Sequence, residues 1–240
     1  MYRKFESHQR LSHEVADHVK MLIRDGQLKS GDKLPSEMEL TQLFGVSRPT
    51  IREAIHTLVS QNILLVLRGR GTFVSDNPGI TADPLGLDLL SDAGLGCALV
   101  QARFVLEPGV AKLAAENADK EDLEKIYTYL HEMEHIVEEQ KVSMSVELEF
   151  HHSIAQASKN PVIMRIIPII MDSIFRVYKD THLTLTDHKR ALDEHREIAE
   201  AISNHDGDEA ERAMRHHLEN SRLRSLAKQE MAAKKKEHQA

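Results

Sequence analysis

Tryptophan is absent from this 240-residue chain, cysteine occurs once, at Cys97, and aromatic residues make up only 4%. A single cysteine excludes an internal disulfide framework and fits a reducing compartment. The shortage of aromatics, beside plentiful Leu, Ile, Ala, Glu and His, favours helices over a β-sandwich. No apolar run approaches the ~20 residues that a bilayer span requires. The opening MYRKFESHQRLSHEV lacks the apolar stretch of a secretory leader. The expectation is a cytoplasmic protein with no membrane partner. A hydrophobic content of 41% suffices for a packed core in one or two domains.

The net charge of −7 would argue against a polyanionic partner if it were spread evenly, and it is not. Residues 1–75 carry 11 Lys and Arg against 8 Asp and Glu, a balance of +3, whereas residues 76–240 carry 20 against 30, a balance of −10. Phosphate contacts are local and screened within ~8–10 Å at cellular salt, so this asymmetry outweighs the total. The basic front segment is the candidate for a polyanionic partner, and the helices it forms decide whether that partner is double-stranded DNA.

Within it, Leu11, Val15, Val19, Leu22 and Ile23 recur at helical spacing, and Asp25-Gly26 ends that helix. Ser36-Glu-Met-Glu39 reads as a capping box opening a second helix that buries Leu40, Leu43 and Phe44. Gly45 makes a turn, and Ser47 caps a third helix from Arg48 to about Ser60, where Pro49 is tolerated in the first turn. Ile51, Ala54, Ile55, Leu58 and Val59 form its inward stripe, leaving Arg48, Thr50, Arg52 and His56 outward. Such a helix suits a major groove, with arginine reaching guanine edges and hydroxyls holding phosphates. Residues 63–67 and 72–75 flank Arg68-Gly-Arg70-Gly71 and predict a β-hairpin with a basic tip, fit for the adjacent minor groove. The bland alternative is a packing helix-turn-helix whose arginines are merely solvated.

Three runs carry a resemblance: Leu34-Pro-Ser-Glu37, Phe44-Gly-Val-Ser-Arg-Pro-Thr-Ile-Arg-Glu-Ala54 and Gly69-Arg-Gly-Thr-Phe-Val74. In order and spacing they resemble the winged-helix domain of GntR-type bacterial transcription regulators. The resemblance implies DNA contacts from Ser47, Arg48, Thr50 and Arg52, with Arg70 and Gly71 on the wing. Some members carry an arginine where this chain has Met38, so the operator is expected to differ from theirs.

Residues 76–83 form a polar linker containing Pro and Gly. Beyond it there is helical periodicity and no strand alternation. Helices are predicted near 84–91, 95–117, 120–140, 143–158, 161–180, 187–204 and 208–230, the last with a capping box at Asp208-Glu-Ala-Glu211 and followed by a frayed basic tail, 231–240. The fold class is therefore mostly α: a winged helix-turn-helix over 1–75, then an all-α antiparallel bundle of six or seven helices over 84–230.

At 100° per residue, His151 shares an apolar stripe with Glu147, Leu148 and Ile154, while His152 falls on a solvent face. His195 lies among Ala191, Leu192, Ile198 and Ile202, and His217 among Ala210, Ala213 and Met214. A lone inward histidine is ordinarily a hydrogen-bonded core residue. Three of them without a shared partner would be costly to desolvate. With Glu147 they make an N₃O set for a divalent metal, zinc first, with nickel, manganese and iron as alternatives.

This half also resembles the helical effector-binding (FCD) domain of the FadR-type GntR branch, which carries an Asp-x₃-His pair and two later histidines around a metal. Here Glu147 stands in place of the aspartate. Arg103 and Glu107 fit that branch's R-x₃-E pattern. They read either as an i,i+4 ion pair or as a cation that receives the carboxylate of a small effector, a sugar acid or hydroxy acid.

His131-Glu-Met-Glu-His135 matches the H-E-x-x-H pattern of zinc proteases, but both histidines sit beside the polar flank of their helix and no third ligand follows. A helical-bundle metalloenzyme and a regulator with a purely structural metal are the rival readings. An enzyme, however, has no need of a DNA-reading half. The reading is thus a non-enzymatic transcription regulator, a repressor by family analogy, binding a two-fold operator as a homodimer.

Overall fold

Helix α1 (His8–Arg24) packs Val15, Ala16 and Val19 inward and gives way to a turn at Gly26, whose φ of 73° is left-handed. The computed structural model describes residues 8–90, 95–141, 143–178 and 184–237. Helix α2 (Glu37–Phe44) opens on the expected capping box: the Glu39 carboxylate accepts from the Ser36 backbone N–H at 2.7 Å, and the Ser36 hydroxyl accepts from the Glu39 N–H. Gly45 closes it at φ 65°. Helix α3 (Arg48–Ser60) starts at Ser47, and strands β1 (Leu64–Leu67) and β2 (Gly71–Val74) pair antiparallel from Leu64↔Val74 to Leu67↔Gly71. Lys33 adds an isolated bridge to Phe73.

Leu34, Leu40, Ile51, Ala54, Leu58, Leu64 and Val74 join the α1 residues in one core. Leu43 does not: it is 71% exposed, because the short α2 turns only the face of Leu40 onto its neighbours. This unit spans residues 1–88, and a second spans 89–240.

The helix expected near 84–91 is only a 3-10 turn, Leu87–Leu89. Pro84 and Gly86 (φ 65°) interrupt it, and the Asp83 carboxylate takes up the Leu87 and Asp88 backbone N–H groups instead. Among the described residues of the second unit there are six helices and no strand. They are α4 (Leu95–Asn117), α5 (Lys120–Glu138), α6 (Met144–Ala157), α7 (Ile163–Tyr178), α8 (Leu185–Ser203) and α9 (Gly207–Glu237).

Capping boxes at Asp119/Asp122 and Thr184/Asp187 start α5 and α8. The start of α9 is not the expected box at Asp208. Asp206 accepts from the Glu209 N–H at 2.9 Å, and Asp208 instead pairs with Lys112. Helix α9 also continues to Glu237, where a frayed tail from 231 was expected; residues 238–240 lie outside the described set.

Helix α4 packs against α6, α7, α8 and α9, and α5 against α6 and α8. The core they enclose is apolar around Phe150, Ile154, Ile198, Ile202 and Met214, with three histidines equally buried inside it. Among the described residues, no helix is long and apolar enough to cross a membrane.

Candidate metal centre and DNA-reading surface

Three helices converge on one point of that core. Helix α6 supplies Glu147 and His151, α8 supplies His195 and α9 supplies His217. Each offers a donor atom, and the four donors lie within 4.8 Å of one another, which is compatible with one ion at their centre. The imidazole centroids are 4.4 Å apart for His195 and His217, 5.4 Å for His151 and His217, and 5.6 Å for His151 and His195.

Both ring nitrogens of His195 and Nε2 of His217 are buried with no hydrogen-bond partner in the protein. An orphaned polar atom in an apolar core costs about 1–3 kcal/mol. These orphans belong to two imidazoles that each offer one lone pair at the same locus, which fits a borderline-soft divalent ion. Among the described residues this is the one such grouping. His131 and His135 stand exposed on α5 and belong to none.

The charges behind the centre are paired. On α4, Arg103 and Glu107 are both buried. The Arg103 Nε donates to Glu107, and its Nη2 reaches Glu107 Oε2 at 3.3 Å and His151 Nε2 at 3.3 Å. His151 Nδ1 lies 2.7 Å from Glu107 Oε2. Burial would raise the Glu107 carboxyl, but Arg103 and then His151 hold it well below the usual carboxylate range. The Arg103 guanidinium is raised in turn by Glu107 despite its burial.

On α8, the Glu194 carboxylate is likewise held down, to about 2, by His217 and Arg224 against the opposing effect of burial. Burial lowers His195 well below its ordinary value, and the other imidazoles lower it further. Burial lowers His217 as well, with Glu194 opposing. Neutral imidazole is the metal-binding form.

Two partners had no place in the sequence reading. Glu107 faces His151 as well as Arg103. Glu194, on the turn beside His195, carries a detectable signal: Ala191, Ile198 and Ala201 share its stripe and are all buried, so a carboxylate there needed a partner. His152 differs from its expected solvent face. Its side chain is 16% exposed, its Nε2 is buried, and burial lowers its pKa, with Glu149 opposing. His216, beside His217, is exposed.

A cavity of about 20 Å³ reaches Glu147 and His195 between α5, α6 and α8, with Lys141, Ser143 and His188 among its lining. That is room for about one water molecule.

In the first unit, Arg48 and Arg52 project from α3 with side chains 71% and 70% exposed, and Glu37 faces both, at 3.1 Å and 3.8 Å. Arg70 is exposed on the hairpin tip, 5.9 Å from the Phe73 ring centroid. Thr50 corrects the outward assignment: it is 2% exposed, its hydroxyl 2.8 Å from that of Ser47. At the third position of the helix its side chain turns back to the cap rather than out to solvent. Gly71 has an intrachain reason to be glycine. Its φ is 120°, and a Cβ there would come within 2.8 Å of Lys33 Cε.

The pattern of bacterial regulatory proteins of the gntR family matches residues 11–74, and that of the FCD domain matches residues 98–220. A regulatory protein of Escherichia coli (strain K12), whose name assigns it to the L-lactate dehydrogenase operon, is 32% identical over 218 residues, 87% of this chain and 84% of that protein. The transcriptional repressor NanR of Escherichia coli (strain K12 / DH10B) is 28% identical over 215 residues, 87% of this chain and 82% of its own length. Among solved structures, Streptococcus agalactiae GntR matches with a TM-score of 0.77 and 32% identity, covering 88% of this chain and 99% of that one.

Proposed function

The chain belongs to the GntR family of bacterial transcription regulators, which are not enzymes, and carries an FCD domain; from that premise we propose a homodimeric, effector-responsive operator-binding protein with a divalent metal in its sensing half. Regulators of this family bind DNA through the helix-turn-helix and effectors through the FCD domain. Here Arg48 and Arg52 read bases, Ser47 and Arg70 hold phosphates, and Gly71 keeps the wing tip slim. Thr50 acts from behind, by steadying Ser47.

The observation that carries the sensing half is the convergence of Glu147, His151, His195 and His217, with both ring nitrogens of His195 and Nε2 of His217 left without a partner in the protein. Zinc suits the N₃O set best. A bound ion would supply a Lewis-acid point for a carboxylate oxygen. Arg103, on the same side as His151, supplies a guanidinium for the rest of that carboxylate. The effector is a small organic acid. The operon named in the Escherichia coli relative makes a hydroxy acid a sensible first candidate, and NanR's name favours repression.

The 20 Å³ cavity beside Glu147 and His195 has room for about one water molecule, so a hydroxy acid bound there would need the wall of α5, α6 and α8 to move. That requirement couples occupancy to conformation. To swing operator occupancy from one extreme to the other, the effector must prefer one arrangement by ~10⁴-fold. A purely structural ion is the second reading, because four protein donors can close a tetrahedral shell.

Native mass spectrometry of protein purified without chelator tests the proposal. The expected species is a dimer with one divalent ion per chain, kept by His152→Ala and lost by His195→Ala. Equal loss in both variants would refute the ligand assignment. Gel shifts on promoter fragments with lactate and other small acids then separate a sensing ion from a structural one.

A further inference from the structure

We propose that Glu194 is the positioning residue of the metal centre: it fixes the tautomer and aim of His217 from the side away from the ion. The proposal rests on the metal reading above and concerns what stands behind the ligands.

Glu194 is buried, one residue before the ligand His195. Its carboxylate has four hydrogen-bonding positions, and all four are filled. Oε1 accepts from Asn220 Nδ2 at 2.9 Å and Arg224 Nη1 at 2.7 Å. Oε2 accepts from His217 Nδ1 at 2.9 Å and Arg224 Nη2 at 2.9 Å. A carboxylate so saturated has no oxygen lone pair left for a metal.

Arg224 donates to both Glu194 oxygens, so the carboxylate faces His217 as an acceptor. His217 Nδ1 therefore carries the proton, and the lone pair sits on Nε2, the nitrogen left without a partner. Carboxylate, imidazole and open Nε2 lie in series, the arrangement by which an outer carboxylate orients a ligating histidine and raises its basicity.

His195 shows the contrast, since neither of its nitrogens has a partner and nothing in the protein selects its tautomer. The centre is thus asymmetric: His217 is held from behind by Glu194 and His151 by Glu107, while His195 is free to adjust. Asn220 and Arg224 lie three and seven residues past His217 on α9, so the latch on Glu194 comes from the same helix as the ligand it aims. Arg224 reaches His217 through Glu194, as the carboxylate's bidentate clamp.

The rival role is a plain tie between α8 and α9. Cobalt(II) separates the two, because its absorption reports ligand geometry and its affinity can be read against a competing chelator. In the full-length protein Glu194→Ala is expected to bind Co²⁺ ~10–100-fold more weakly with an altered absorption band. Glu194→Gln, which keeps an acceptor for Nδ1–H but no charge, should restore part of the affinity. Arg224→Lys, which keeps the charge but loses the fork, should fall between Gln and the native protein.

Native affinity and an unchanged band in Glu194→Ala overturn the proposal, even if that variant unfolds at lower urea. If Glu194→Ala does not fold, native Co²⁺ affinity in both Glu194→Gln and Arg224→Lys overturns it equally. No Co²⁺ or Zn²⁺ binding by the native protein would instead sink the metal reading itself. Nitrogen-15 spectra of the zinc-loaded protein should show His217 protonated at Nδ1, a signature that a mere helix tie would not set.

Discussion

The two units handle charge in opposite ways. The first leaves Arg48 and Arg52 about 70% exposed on the end of a helix, lightly held by Glu37. The second buries Arg103, Glu107, Glu194 and three histidines in its core, each charge with a close partner. A surface that must meet phosphate keeps its cations solvated, since exposed ion pairs are worth ~0–1 kcal/mol and are readily exchanged for a better anion. A sensing core keeps charges dry, where every unpaired one is costly. Removing a charge should therefore damage binding in the first unit and folding in the second.

The largest effect is expected from Glu107→Gln. It leaves the Arg103 guanidinium buried without its counter-charge, and arginine cannot escape by losing a proton. Breaking a buried pair from one side costs about 3–5 kcal/mol. Urea denaturation of the second unit should register that loss, whereas Glu37→Gln in the first unit should change stability by no more than ~0.5 kcal/mol. Equal stability changes in the two variants would erase the contrast between the two units.

Next in size is Arg52→Ala. If Arg52 reads a base, its truncation should weaken operator affinity by about 1–3 kcal/mol, leaving the fold intact. A gel shift at two salt concentrations checks it. A loss that shrinks at higher salt, with no change in sequence preference, would demote Arg52 from base reading to phosphate contact.

The same division explains what could be read from residues alone. Faces of helices follow from spacing, so the α3 stripe, the inward aim of His151, His195 and His217, and the Ser36 capping box were all legible. The four donors lie on three separate helices, and their common stripe positions were the only trace of their meeting.

Pairings across helices left no such trace. Nothing local says that Glu107 on α4 faces His151 on α6, or that Arg224 reaches back to Glu194, because the partners are 44 and 30 residues apart. Glu194 was visible only as a carboxylate out of place among Ala191, Ile198 and Ala201. The expected helix at 84–91 failed for a local reason. Apolar spacing counted for less than Gly86 in a left-handed conformation.

The smallest expected effect tests the one residue that crosses the division. Thr50 sits on α3, the helix proposed to read DNA, but is buried, its hydroxyl against that of Ser47. If it belongs to the folding side of the comparison, Thr50→Val keeps the branched shape and loses one hydrogen bond, worth about 1 kcal/mol of stability. Operator affinity should then stay within ~0.5 kcal/mol of the native value. The opposite result, native stability with weaker operator binding, would mean that Thr50 turns outward to phosphate when DNA arrives. The cap of α3 would then be remade on the operator, and burial in the free protein would be a poor guide to which hydroxyls this helix offers to DNA.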